Sequence, residues 1–429
     1  MENFFIHGTF LVKVVYLISL LIVLSYVFIK YMKRKYILSF FNIGLYISLI
    51  SYFFTSLYQY NNIAWNALGY DKAEIFYKFL DKNLIINLVG TGILFLGLLI
   101  FELKNKKIKI NKIEKFLENN INIETVKLVN KITIILWLVL VFSKLGFTLP
   151  IFGNRGFLVN SSLQSVYNIL NSILEYSLLV YLFYYPKNIL FFINLFLLVG
   201  TGNRGGVLNI LLLCYILYFY KNSVSVIKKV SLSIIVFISL LFLLFLLDKI
   251  RGGINTSILN KILYANTFSD IRDGAFILYG MEKLKITFLY GKMYLADFLS
   301  FIPSEFLKYR EIYSYSNFTT KTLFGWYGHY GLRGGLFIAP YINFGFWGVF
   351  SLSTFYAFVL SKLEKMFYTK NINYKNILIL NFYLLFAGTL LLPASGMFLY
   401  VFLGYLFLII GINQLIKILN KKERDKNAK

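Results

Sequence analysis

The chain reads as an all-α polytopic integral membrane protein with about 11 transmembrane helices, its N-terminus outside and its C-terminus cytoplasmic. Three observations predict this. Of the 429 residues, 58% are hydrophobic and 19% aromatic, against roughly 45–50% apolar residues in a soluble chain. The apolar residues fall in runs close to the ~20 residues that a helix needs to cross hydrocarbon. The 44 Lys and Arg residues, which give a formal net charge of +25, collect in the short segments between those runs. That clustering is the positive-inside pattern, and it sets aside the nucleic-acid partner a basic chain otherwise invites.

The runs lie at 9–31, 36–57, 83–102, 132–149, 166–185, 188–201, 206–220, 230–247, 338–361, 377–393 and 397–416. The sixth and seventh are short and joined at Thr201–Gly205, as in a tight helical pair. With the N-terminus outside, the inner segments hold 26 basic residues and the outer ones 16, of which 11 belong to one long loop. Long loops are discounted in the rule, so the comparison becomes 26 against 5. The first run is too long for the apolar core of a cleavable signal and lacks a small-residue cleavage site. The whole of 1–429 is read as a single transmembrane domain, with residues 248–338 forming the large outer loop between the eighth and ninth spans. Within that loop Ile286–Pro303 is apolar but interrupted by Lys292 and Asp297. It is expected to be an amphipathic helix lying in the membrane interface, since a further span would put the basic tail outside. Cys214 is the one cysteine, which rules out internal disulfides and thiolate metal clusters.

The arginines are spent unevenly. Six of eight (Arg155, Arg204, Arg251, Arg272, Arg310 and Arg333) fall at or beyond the outer face, and four of those six are followed by glycine. A guanidinium offers a planar fork that matches phosphate oxygens, and a neighbouring glycine lets backbone approach closely. Gly202-Asn203-Arg204-Gly205-Gly206 stands just before a span that enters from outside, where free N–H groups and the helix dipole also favour an anion. Arg333, in Leu332-Arg333-Gly334-Gly335, repeats the arrangement ahead of the ninth span, and Arg155 lies in a Gly-Asn-Arg-Gly turn after the fourth. Arg251 follows the C-terminal end of a span, where a cation also satisfies carbonyls. Arg204, Arg333, Arg155 and Arg251 are therefore the candidate (pyro)phosphate ligands. Arg272 and Arg310 have acids beside them, Asp273 and Glu311, and read equally well as ion-paired braces.

Candidate bases are few. His329, four residues before Arg333, carries an imidazole that titrates near neutral pH, and Asp273 and Glu305 are the competing carboxylates. Trp326, Tyr327 and Tyr330 around it suit stacking on sugar faces, as well as anchoring in the interface. Glu175 is an acid inside the fifth span, with Lys144 a candidate partner. The acids Asp71, Glu74 and Asp81 of the first outer loop alternate with Lys72, Lys78 and Lys82 and read as a solvated face. No metal-ligand spacing, nucleotide loop or dinucleotide fingerprint occurs, so neither metal nor cofactor is expected.

At this point the chain resembles the Wzy-type polymerases of O-antigen and capsule repeat units. The segment Leu198-Val-Gly-Thr-Gly-Asn-Arg-Gly-Gly206 looks like the family's small-x-Arg-Gly signature. Arg272-Asp273, Gly291-Lys-Met-Tyr294 and Asp297-Phe-Leu-Ser-Phe-Ile-Pro303 follow in the family's order. Pro340-Tyr-Ile-Asn-Phe-Gly-Phe-Trp-Gly348 is similar to its Tyr-x-Asn-Phe-Gly-x-x-Gly stretch. The likeness covers about the C-terminal half. It implies a metal-independent membrane glycosyltransferase of the bacterial inner membrane, acting on undecaprenyl-pyrophosphate-linked oligosaccharide at the periplasmic face. A chain-length regulator protein and membrane lipid would be its partners. A lipid-linked oligosaccharide flippase and an O-antigen ligase are the competing readings. The long outer loop and scarce mid-membrane charge favour an enzyme over the flippase.

Overall fold

The computed structural model describes residues 2–32, 50–54, 57, 60, 73–103, 116, 119–151, 163–185, 187–201, 231, 235, 270–302, 306–326, 331–369, 374–391, 393 and 396–427. Every regular element among them is helical. In chain order these are α1 (Glu2–His7), α2 (Phe10–Met32), α3 (Ala73–Leu103), α4 (Ile123–Leu145), α5 (Leu163–Tyr184) and α6 (Ile189–Gly200). They continue with α7 (Asp270–Lys283), α8 (Lys292–Phe298), α9 (Lys308–Tyr313), α10 (Ile338–Thr369), α11 (Tyr374–Leu391) and α12 (Gly396–Asn427). Among the described residues five stretches are long and apolar enough to cross a membrane: Phe10–Lys30, Tyr77–Phe101, Ile123–Leu145, Ile338–Leu363 and Gly396–Asn420. The chain is thus a multi-pass membrane protein. The expected run 206–220 lies outside the described residues, as do 36–57 and 230–247 apart from isolated positions.

Two compact units divide the chain: Met1–Lys107 with Thr256–Met366 and Tyr383–Met397, and Ile108–Asn255 with Phe367–Phe382 and Phe398–Lys429. In the second, Ile134, Trp137 and Val141 of α4 bury against Tyr167, Leu170 and Leu174 of α5 and Leu197 of α6. The spacing of each set is that of one helix face. Polar side chains pin the apolar surfaces: Asn130 and Asn194 exchange hydrogen bonds of 3.0 and 3.1 Å, and Trp137 Nε1 donates to Asn171 at 2.7 Å. In hydrocarbon such pairs matter because water offers no alternative partner. Glu175 does not pair with Lys144; among the described residues it has no ion-pair partner.

In the first unit α2 and α7 pack on α3. The helix α3 begins at Ala73, well before the apolar run expected from 83, and the reading of this loop as a solvated face is corrected at Asp81, while Lys78 and Lys82 are exposed. Asp81 is buried, accepts the Thr9 N–H at 3.0 Å and takes a short hydrogen bond from the Tyr60 hydroxyl. A carboxylate withdrawn from water needs such donors. It ties the start of α2 to the third turn of α3.

The stretch Ile286–Pro303 is not one amphipathic helix. It runs without helix from Ile286 to Leu289, turns at Tyr290 (φ 51°) and Gly291 (φ 85°), and only then forms the seven residues of α8. The reason lies in α10, which breaks at Gly345 (φ 63°, ψ −154°). That break leaves carbonyls of the preceding turn unused by the helix. Leu289 N–H donates to Ile342 O at 2.9 Å and Tyr290 N–H to Asn343 O at 3.0 Å. Asn343 completes the joint by accepting from Met293 N at 3.4 Å and donating to Ala339 O at 2.9 Å. Backbone pairing with a broken helix therefore outcompetes helix formation over 286–290. A Cβ on Gly345 would adopt a left-handed conformation and meet the Phe288 ring at 3.1 Å. We expect Gly345→Ala to destabilise the protein by about 1–2 kcal/mol, read as a lower thermal midpoint in detergent. An unchanged midpoint would mean that the break is not required.

Candidate functional site

The site is built around the loop that carries Arg333. It begins with α3, an apolar helix interrupted by Asn83, Asn87 and Thr91, one polar residue per turn on a single face and all buried. Asn83 meets α7 where Gly274 removes a side chain; a Cβ there would sit 2.2 Å from the Asn83 amide. Across this contact Asn83 Nδ2 donates to Ile271 O at 2.9 Å. One turn deeper Asn87 Nδ2 donates to Gly334 O at 3.2 Å, and Asn87 Oδ1 accepts from Phe337 N at 3.4 Å.

The loop is held almost entirely through its backbone. Leu332 N–H donates to Thr319 Oγ1 at 3.2 Å, Arg333 N–H to Asp273 Oδ2 at 3.3 Å and Gly334 N–H to the Tyr315 hydroxyl at 3.1 Å. Leu336 N–H donates to the Tyr52 hydroxyl at 2.7 Å. Gly335 turns the chain at φ 85°, and a Cβ there would strike Asn87 Oδ1 at 2.3 Å. So Gly335 serves a close approach of backbone to the Asn87 amide, while a Cβ on Gly334 would strike the Ile338 side chain at 2.3 Å. With Asn87, five side chains from four parts of the chain accept from the backbone N–H groups of residues 332, 333, 334, 336 and 337. The Arg333 side chain is left 53% exposed.

Three charged groups sit beside it. Arg272 and Asp273, on the first turn of α7, are buried at 6% and 7% exposure and pair at 3.2 Å. With one oxygen on Arg272 and the other on the Arg333 N–H, Asp273 has the geometry of a brace. Asp270 lies one turn earlier, its Oδ1 3.8 Å from Arg333 Nε. Loss of water raises its carboxyl above the usual carboxylate range; the Arg333 guanidinium opposes the rise and Asp273 adds to it. Asp270 is the residue the sequence reading missed. Its signal was its place three residues before Asp273, on the same face of a helix. The buried Asn83–Asn87–Thr91 stripe was missed too, although polar residues in an apolar run mark packing or function.

Of the other candidates, Trp326 stacks on Phe324 at 4.6 Å between ring centres. Arg155, Arg204, Arg251, Glu305, Tyr327, His329 and Tyr330 lie outside the described residues. Glu311 does not brace Arg310. It pairs with Lys321, which holds its carboxyl below the usual range, while Arg310 donates to Ile302 O. Among the described residues no group of three His, Cys, Asp or Glu side chains could hold a metal ion.

The conserved-looking order of motifs noted above also contains Asp297, which heads a second polar cluster. It is buried on α8 and accepts the Gly396 N–H at 3.1 Å. Burial pushes its carboxyl up to about 7, against the pull of that N–H and of the Arg310 guanidinium. The hydroxyls of Tyr294 and Ser300 and Nε of Arg310 are buried beside it without hydrogen-bond partners.

No family model, no curated protein and no solved structure matches the chain.

Two outcomes follow from this geometry. Asn87→Leu, close in volume but without the amide, leaves Gly334 O and Phe337 N–H unsatisfied; we expect about 2 kcal/mol of destabilisation, measured by thermal unfolding, with a loss below 0.5 kcal/mol counting against the cradle. For Asp297 the folded-state value of about 7 lies above the usual 3.8, so the folded protein binds more protons than the unfolded chain in that window. Stability then falls as pH rises from about 4 to 7. Asp297→Asn, which keeps an acceptor for Gly396, flattens that dependence; an unaltered pH profile would show that Asp297 does not cause it.

Proposed function

We propose that the protein joins oligosaccharide repeat units carried on undecaprenyl pyrophosphate, as a metal-independent glycosyltransferase of the bacterial inner membrane. The observation that carries this reading is the cradle of Arg333: five buried side chains hold its backbone while its own side chain, beside Asp270, stays 53% exposed. Building a rigid turn around a half-exposed cation that also meets Asp270 fits recognition of an anion better than anchoring in headgroups, which needs no such frame.

In the reaction, a hydroxyl oxygen of the acceptor sugar attacks the anomeric carbon of the growing chain. The bond from that carbon to the pyrophosphate oxygen breaks, and the electron pair leaves with the lipid pyrophosphate. Arg333 neutralises the charge that develops there, preorganised so that nothing need rearrange as it forms. Arg204, Arg155 and Arg251 are the further cations the sequence offers for the second phosphate. The hydroxyl proton passes to a base. Asp270, beside Arg333 and raised by burial, has the placement for this; His329 of the same outer segment is the other candidate. Asp273 keeps its role as the brace. Trp326, Tyr327 and Tyr330 are the surfaces for the sugar rings.

The test is a deletion strain complemented with variants and scored on a polysaccharide gel. We expect Arg333→Ala to reduce polymer by about a hundredfold while a single repeat unit persists. Arg333→Lys rescues poorly because an ammonium lacks the fork. Asp270→Asn lowers turnover without loss of folded protein. A normal ladder from Arg333→Ala would sink the reading, and loss of the single unit along with the polymer would indicate a flippase or ligase.

A further inference from the structure

A cleft of about 500 Å³, with no residue of the Arg333 turn in its lining, opens in the first unit between the starts of α2 and α3 and the part of α10 beyond its break. Its wall changes character along α3. Tyr77, Lys78, Asp81, Lys82 and Ile85 all line it, the i, i+4, i+8 face of one helix. The ionic residues occupy the first turns and Ile85 lies one turn further into the apolar stretch Tyr77–Phe101. On the other sides stand Leu11, one residue into α2, and Phe346, just past the Gly345 break. His7 closes the polar end, stacked on Tyr77 at 4.9 Å.

The charges facing this space are unequal in what remains to them. Asp81 is spent on Thr9 and Tyr60. Lys78 pairs with Glu282 at 2.9 Å. Lys82 has no carboxylate partner among the described residues; its ammonium lies 5.5 Å above the Tyr341 ring and is exposed. A cation over an aromatic face keeps its other donors available. The cleft thus offers one uncommitted ammonium and an imidazole at the polar end, and Leu11, Ile85 and Phe346 at the apolar end. That is the complement of an amphiphile with an anionic head.

We propose that this cleft binds the phosphate end of a polyprenyl-type membrane lipid, with Lys82 on the phosphate and the first isoprenoid units against Leu11, Ile85 and Phe346. This rests on the function proposed above, which needs two lipid-linked substrates: Arg333 serves the departing carrier, and the Lys82 cleft serves the carrier of the incoming acceptor. The volume suits a headgroup and a short length of tail, since ligand sites commonly span ~300–1,000 Å³.

The experiment uses the full-length protein in phosphatidylcholine nanodiscs, titrated with undecaprenyl phosphate and read by native mass spectrometry. Wild type is expected to take two equivalents. Lys82→Met, which keeps the apolar stem, and Ile85→Trp, which fills the deeper end, each weaken one equivalent by about tenfold or more and spare the other, which Arg333→Ala removes. Inorganic pyrophosphate, having no tail, does not displace the cleft-bound lipid. The proposal is overturned if Lys82→Met and Ile85→Trp both bind two equivalents as wild type does, or if inorganic pyrophosphate competes fully, which would make the site one for free phosphate. It is likewise overturned by a single equivalent lost in Arg333→Ala alone, a result that leaves the Arg333 reading intact. Conversely, loss of one equivalent in the Lys82 and Ile85 variants with none in Arg333→Ala supports the cleft and counts against the Arg333 reading.

Discussion

The amide of Asn87 is the contact on which the functional end of the first unit depends. It reaches from the middle of an apolar helix to the backbone on both sides of the Arg333 turn, donating to Gly334 O and accepting from Phe337 N. A buried amide in such surroundings has no water to fall back on, so the turn is as costly to displace as the amide is to leave unpaired. Asn83 extends the same logic to α7, and Gly274 lets the two helices close to the distance the hydrogen bond requires. The exposed cation at the end of this chain of contacts inherits its position from residues that never face solvent.

A second constraint acts through the break in α10. Freed carbonyls at Ile342 and Asn343 recruit the segment before α8 as if adding a short strand, which sets where α8 begins. From there Asp297 reaches the Gly396 N–H. The same break precedes Phe346 on the wall of the Lys82 cleft. One glycine in a left-handed conformation thus shapes the start of α8 and one side of the Lys82 cleft.

The polar residues of this unit divide into two kinds. Asp81, Asp273, Asn83 and Asn87 have their oxygens or N–H groups satisfied within the protein and act as framework. Arg333 and Lys82 are exposed cations set in that framework. Asp270 stands between the kinds, partly accessible and poised by its position next to a guanidinium. Satisfied buried groups fix a single arrangement, and exposed ones are then presented without having to organise themselves.

Composition and the length of apolar runs determined by themselves that this is a helical, membrane-embedded chain, because hydrocarbon tolerates few other structures. The glycines after Arg333 were legible as a place of close backbone approach, although in the fold Gly335 approaches the Asn87 amide. The tertiary structure decided the rest. Whether Asp81 is solvated or buried depends on Thr9 and Tyr60, far away in sequence. Whether Asp273 is base or brace depends on where the backbone of residue 333 falls. The helix expected over 286–303 was shortened by carbonyls more than fifty residues downstream. A side chain's type states what it can donate or accept; only the folded chain states which partner it meets, and that choice separates framework from site.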